Sequence, residues 1–340
     1  MQKTARTVRM KNETKLTDIF GRQHDYLRIS LTDRCNLRCR YCMPEHPQWM
    51  PRKNLLTIPE IGQIAKTFIT QFGINKMRFT GGEPLLRNEF HDLIKTLSAY
   101  PVEMGITTNG LLLNESLLDN FIDHHLNALN ISLDTLNPLK FHYLTRVDAF
   151  QKVWDNIHLA LQKDFHLKLN VVVMKGINEA ELVDFAALTR EQNLHVRFIE
   201  FMPFSGNAWS KDKVLSYRQI IRRIEKKHTL EKLDDSTFST AKSYRIPGFR
   251  GTIGVISSVS EPFCSNCNRI RLTADGNLRN CLFTRDEINL RDALRRGEAI
   301  EPLIQKAIRL KHWEHGGLPT FNESDFSDQL SARSMASIGG

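Results

Sequence analysis

The chain has 340 residues, enough for one large domain or one domain with a smaller partner, and its 41% apolar content allows a sizeable core. No run approaches 18 apolar residues, and the first fifteen residues carry charge without an apolar run, so neither a membrane span nor a secretory signal is expected. A formal net charge of +9 favours an anionic partner, but the arginines fall singly near motif residues, which suits a small phosphorylated ligand better than nucleic acid.

Residues 1–20 read as a basic tail, in which Lys3, Arg6, Arg9 and Lys11 precede the first acid, Glu13. Short apolar runs then alternate with segments of helical period over 21–213. The expected strands are Tyr26–Leu31, Lys76–Thr80, Glu103–Thr107, Ala128–Leu133, Leu167–Val173 and His195–Phe201. Helices are expected at Pro59–Phe72, where Pro59 and Glu60 suit a first turn, and at Phe150–Lys163. Six strand–helix units imply a parallel sheet with right-handed crossovers, and six fall short of a closed eight-stranded barrel. The expected fold class is therefore α/β, a partial TIM-type barrel of six units, open on one side. A loop at Met202–Lys213 leads to a smaller region over 214–320, with a helix at Tyr217–Lys227 and a hairpin turn at Ala274–Asn277. Residues 321–340, Ser-rich and ending Gly339-Gly340, are expected to be mobile.

The six cysteines fall into two sets of three. In a reducing cytoplasmic setting, metal binding or catalysis is favoured over disulfides. Cys35, Cys39 and Cys42 follow the first strand with spacing Cys-x-x-x-Cys-x-x-Cys. Three thiolates on one loop can hold three irons of a 4Fe–4S cube and leave the fourth open to a substrate. Zinc remains an alternative, since His46 could complete four ligands, although paired Cys-x-x-Cys knuckles are the usual zinc pattern. Cys264 and Cys267, followed after thirteen residues by Cys281, form a second set with no obvious fourth ligand beyond the weak candidate Asn268. Arg269 and Arg271 share one strand face, where two guanidiniums can grip phosphate oxygens.

The cysteine spacing, the aromatic Tyr41 and the strand end Thr80-Gly-Gly-Glu-Pro84 together resemble the radical S-adenosylmethionine superfamily. The string from Phe263 to Leu278, with Cys281-Leu-Phe, narrows the resemblance to the GTP 3′,8-cyclase (molybdenum cofactor biosynthesis protein A) family. Asp33-Arg-Cys-Asn-Leu-Arg-Cys, Thr107-Thr-Asn-Gly, Asn130-Ile-Ser-Leu-Asp, Asn170-Val-Val-Val-Met-Lys-Gly, Arg197-Phe-Ile-Glu-Phe-Met and the Gly-Gly end match as well. The likeness runs from about residue 16 to the final glycine. It departs at Thr145-Arg146, where a glycine is expected before the arginine, and over Thr229–Lys242.

This resemblance implies two 4Fe–4S clusters, the first on Cys35, Cys39 and Cys42 and the second on Cys264, Cys267 and Cys281. It implies S-adenosylmethionine contacts from Tyr41, Gly82, Ser132 and Met202. GTP contacts would come from Arg28, Arg78, Thr107 and Lys175, and from Arg269 and Arg271, which also act in catalysis. The implied reaction is conversion of GTP to (8S)-3′,8-cyclo-7,8-dihydroguanosine 5′-triphosphate through a 5′-deoxyadenosyl radical. A homodimer, an electron donor and handover to cyclic pyranopterin monophosphate synthase belong to the same expectation, with no nucleic-acid or membrane partner. The Gly-Gly end is expected to order over bound substrate, because only glycines thread a narrow pocket without side-chain clash.

Overall fold

The computed structural model describes residues 14–318 and 333–339. Its first six strands are β1 (Tyr26–Ser30), β2 (Lys76–Thr80), β3 (Glu103–Thr108), β4 (Leu126–Ser132), β5 (Lys168–Val173) and β6 (His195–Glu200). They pair in chain order and in parallel, as the alternating pattern predicts. The crossovers carry α1 (Ile58–Phe72), α2 (Phe90–Leu97), α3 (Glu115–Asp123), α4 (Pro138–Thr145), α5 (Phe150–Leu161) and α6 (Leu182–Ala187). Helix α1 shows why the local sequence folds this way. Thr57 and Glu60 form a reciprocal capping box, and Gly73 ends the helix in the left-handed region at φ 68°. Between those caps Ile61, Ile64, Ala65, Phe68, Ile69 and Phe72 make one buried stripe.

The sheet does not stop at six strands. β7 (Glu231–Lys232), β8 (Ala241–Arg245) and β9 (Thr252–Ile256) extend it beyond β6, with β9 parallel to β6. At the other edge β10 (Arg269–Leu272) lies parallel to β1, followed by β11 (Asn277–Arg279) and β12 (Ile288–Asn289). The twelve-stranded order is β12-β11-β10-β1-β2-β3-β4-β5-β6-β9-β8-β7. The boundary expected at residue 214 is thus no break in the sheet, and one apolar core runs from Leu27 through Phe198 to Ile253 and Ile270. The physical reason is that an open six-stranded sheet leaves two rows of unpaired backbone groups, and the later residues cover both.

Two expected tails are partly built. Residues 1–13 lie outside the described set, but Leu16 is buried, Thr17 bridges to Gln23, and Asp18 holds Arg22. Near the other end, 319–332 and Gly340 lie outside the described residues. Residues 333–339 are placed, with a short helix at Met335–Ile338 and a buried Gly339.

Strand parity positions the site. Leu27, Ile29, Met77, Phe79, Leu129, Ile131, Leu169, Val171, Val196 and Phe198 enter the core. Their neighbours Arg28, Arg78, Asn130, Ser132, Lys168, Asn170 and Arg197 line the opposite, concave face.

Candidate active site

The concave face encloses a cavity of about 760 Å³. Among the predicted residues, Arg28, Cys35, Cys39, Tyr41, Cys42, Arg78, Gly82, Thr107, Ser132, Met202, Arg269 and Arg271 all line it.

The first cysteine loop leaves β1 and is held from below by the Gly-Gly-Glu-Pro segment. A Cβ on Gly82 would lie 2.3 Å from Arg34 O, and one on Gly81, at φ 153°, would lie 2.6 Å from Thr32 O. Those glycines let the Gly82 amide donate to Thr32 O (2.8 Å) and the Glu83 amide to Arg34 O (2.7 Å). Glu83 is fully buried and accepts from Leu85 N, Thr108 Oγ1 and Asn109 N. The Asn109 amide then reaches Asn36 Oδ1 (2.7 Å) and Cys35 Sγ (3.7 Å). Two motifs far apart in sequence are one support for the first thiol.

Burial pushes the Cys35 thiol up to about 11 and Cys42 to about 12, and it raises Cys39 strongly, with the neighbouring thiols adding to the shift at Cys39 and Cys42. Three closely spaced, desolvated sulfurs on one loop suit a multi-iron cation, which would hold them as thiolates. Among the described residues no group of three or more His, Cys, Asp or Glu side chains forms a ready single-ion site, so the fit rests on the donor set and on the sulfurs' shared cavity. Tyr41 is half-buried beside them, close to Asp134, whose own carboxyl burial raises to about 6. At the predicted departure, Arg146 itself takes the left-handed conformation (φ 60°) and donates to Arg38 O within the cysteine loop.

The opposite end of the cavity is cationic. Register places Arg28 of β1 between Arg78 of β2 and Arg271 of β10. Arg78 donates to Tyr26 Oη (2.7 Å) and Ile106 O (3.0 Å). Arg197 donates to Asn170 Oδ1 (2.9 Å). Burial and mutual repulsion lower Arg197 to about 9, and burial with Arg197 and Arg78 lowers Lys168 to about 8. Burial alone would raise Tyr26, but Arg78 and Arg28 outweigh it and bring the phenol down to about 7. The neighbouring cations add to burial in lowering Arg197 and Lys168 and override it at Tyr26, so this wall carries a positive potential suited to an anion.

Lys175 is the expected contact that the fold does not bring in. It lies exposed beyond the end of β5, its amide donating to Lys213 O, and it does not line the cavity. The reason is strand parity together with position: Lys168, Asn170 and Val172 point inward, and β5 ends at Val173. Lys168 and Arg197 are the cations that were missed. Polar residues at alternate positions of otherwise apolar strands, Lys168-x-Asn170 and His195-x-Arg197, were the available signal.

The second set sits behind this cationic wall. Phe263, Asn268, Arg269 and Leu282 line the cavity, whereas Cys264, Cys267 and Cys281 do not. Burial pushes Cys264 up to about 11, with Cys281 and Cys267 close enough to add to it. At Cys267 the same burial is overcome by Arg269 and Lys311, and the thiol falls to about 6. Arg22 donates to Cys264 O (2.8 Å), Trp313 O (2.7 Å) and His312 O (2.7 Å), fastening this loop to the residues before β1.

The short C-terminal helix packs against the cavity. Met335 lines the cavity, the Ala336 amide bonds to Cys42, and Gly339 O accepts from Arg271 Nη1 (2.6 Å). Gly339, in the chain end expected to order over substrate, is buried, and a Cβ there would lie 2.5 Å from Thr80 Oγ1.

Comparison with known proteins agrees with this geometry. The radical SAM superfamily profile matches residues 29–189, and the Molybdenum Cofactor Synthesis C profile matches 194–317. GTP 3′,8-cyclase of Rhodopirellula baltica is 40% identical over 343 residues, covering 97% of this chain and 94% of that protein. Molybdenum cofactor biosynthesis protein 1 of Homo sapiens is 48% identical over 311 residues, 89% of this chain and 49% of that one. The mouse protein of the same name is 47% identical over 332 residues, 95% and 51% of the two chains. The chain thus spans about half the length of these last two relatives. Among solved structures, Streptococcus suis SuiB bound to S-adenosylmethionine superposes with a TM-score of 0.56 at 14% identity, covering 85% of this chain and 68% of that one. Native anSMEcpe with bound AdoMet gives 0.53 at 16%, covering 78% and 77%. At such identities the likeness is one of fold.

Proposed function

Because this chain belongs to the radical S-adenosylmethionine superfamily and, within it, to the GTP 3′,8-cyclase family of molybdenum cofactor biosynthesis, we propose that it converts GTP to (8S)-3′,8-cyclo-7,8-dihydroguanosine 5′-triphosphate. The carrying observation is the row Arg271, Arg28 and Arg78, in register across three strands, facing the same cavity as the first cysteine loop. A triphosphate matches that row in charge and reach.

Cys35, Cys39 and Cys42 would hold the first 4Fe–4S cluster, and Cys264, Cys267 and Cys281 the second. When bound, the first cluster supplies the electron that cleaves the sulfonium of S-adenosylmethionine and frees a 5′-deoxyadenosyl radical. The residues of the chain bind and orient. Tyr41, Gly82, Ser132 and Met202 flank the S-adenosylmethionine position, with Asp134 close to Tyr41. Arg28, Arg78, Arg269, Arg271 and Thr107, with Lys168 and Arg197 in place of Lys175, hold the nucleotide so that ribose carbon 3′ meets the radical. The seated C-terminus and the second-cluster loop exclude water and stray C–H bonds. A homodimer, an external electron donor and handover to cyclic pyranopterin monophosphate synthase complete the reading.

The test is anaerobic purification, iron and sulfide counts, and incubation with dithionite, S-adenosylmethionine and GTP. About eight irons per chain with a GTP-derived product supports the assignment. Release of 5′-deoxyadenosine with GTP unchanged would move the substrate elsewhere, and zinc in place of iron would leave only the fold.

A further inference from the structure

Lys311 lies just past the helix Glu301–Arg309, and its side chain is buried, with 3% of the residue exposed. Its ammonium donates to Asn280 O at 2.7 Å, Arg269 O at 3.1 Å and Cys267 Sγ at 3.6 Å. Among the described residues its partners are these two carbonyls and one sulfur, with no carboxylate. A buried ammonium without a counter-charge is costly, and two carbonyl dipoles do not neutralise it. The anion that would balance it is the Cys267 thiolate. The three contacts also come from two cysteine-bearing segments: Cys267 and Arg269 belong to one, and Asn280 precedes Cys281 in the other.

We propose that Lys311 is a positioning residue of the second iron–sulfur cluster, its ammonium hydrogen-bonding the Cys267 thiolate while tying the Cys264–Cys267 loop to the Cys281 segment. This rests on the reading that those three cysteines hold a cluster. A cation and an N–H···S bond at a ligand sulfur favour the reduced cluster, which carries one more negative charge, so Lys311 raises the cluster's potential. A residue that merely packed would leave the potential unmoved.

The experiment uses the full chain carrying Cys35→Ser, Cys39→Ser and Cys42→Ser, so that only the second cluster remains, with and without Lys311→Met. Iron and sulfide are counted, the midpoint potential is read by redox titration followed by electron paramagnetic resonance, and iron loss to a chelator is timed. Lys311→Met is expected to shift the midpoint to more negative potential and to speed iron loss roughly tenfold, and Lys311→Arg to restore the potential. An unchanged midpoint and an unchanged rate would overturn the role. Should Lys311→Met not fold, the parent chain labelled with 15N-lysine decides. A lysine nitrogen coupling to the reduced cluster in pulsed resonance supports the contact, and its absence refutes it. A parent chain that binds no iron would remove the second cluster itself, and the role of Lys311 with it, an outcome distinct from an iron-loaded parent indifferent to the substitution.

Discussion

Arg78 crosses to its partners because residue 105, beside it in register, has no side chain. A Cβ on Gly105 would lie 2.9 Å from Arg78 Nη2 and 2.7 Å from Ala128 O. Gly105→Ala should therefore push the guanidinium out of line and part β3 from β4, costing about 1–3 kcal/mol. The expected result is a lower melting temperature together with weaker GTP binding by calorimetry. Lys168 makes a second prediction, through pH. Burial and the nearby arginines hold it at about 8 in the free pocket, so the ammonium that pairs with phosphate is present below that pH and lost above it. GTP affinity should decline as pH rises from about 8 to 9.5, and Lys168→Arg, whose guanidinium holds its proton to higher pH than an ammonium in the same surroundings, should move the decline upward; equilibrium dialysis across pH reads both. The contrast between Lys168 and Lys175 also shows what a residue pattern conveys. Both are lysines near one strand, and the parity of β5 with its end at Val173 separates them. The cysteine spacings needed no such register, since each set of three is local in sequence.

At the scale of elements, the segment from Leu16 to His24 works as a hook. Thr17 bridges to Gln23, Asp18 accepts from Arg22 Nε (2.6 Å) and His24 Nε2 bonds the same carboxylate (3.1 Å), which aims Arg22 at three carbonyls of the Cys264 and His312–Trp313 loops. Arg22→Ala would leave Asp18 buried without its cation and the Cys264 loop unfastened, a cost of about 3–5 kcal/mol. If the proposed second cluster sits on this loop, iron should fall from about eight to about four atoms per chain while the resonance signal of the first cluster stays. The first part of the segment, residues 16–20, falls within the expected basic tail, because a hook of mixed polar residues has no periodicity to reveal it. The six central strands were legible for the opposite reason, each being an apolar run of strand length between turn residues. What sequence could not convey was the pairing of β9 with β6 and of β10 with β1. Strand partners leave no local trace, and a parallel pairing across most of the chain leaves none at all.

For the molecule as a whole, the cavity is assembled from both ends of the chain. Gly339 sits at φ 80° with a would-be Cβ 2.5 Å from Thr80 Oγ1, at the end of β2. Gly339→Val should expel the C-terminal segment and lower 5′-deoxyadenosine release in the presence of GTP by roughly a hundredfold, with the iron content unchanged. The overall architecture, an open half-barrel with a cation-lined interior, could be read from the strand count and the scattered arginines. Its closure could not, because the closing pieces are a twelve-strand continuity and a glycine.

The pairing of β10 with β1 has a consequence for synthesis. Asp25 and Asn268, which hydrogen-bond side chain to side chain at 2.6 Å, are 243 residues apart. At translation rates of roughly 5–20 residues per second, the nascent chain presents the Cys35–Cys42 loop on a half-built sheet for roughly ten to fifty seconds before β10 leaves the ribosome. During that interval the future interior is an outside surface with a free strand edge at β1. Iron and sulfide delivery has its widest access to the first three thiols then, and the edge most in need of a chaperone is the one beside them.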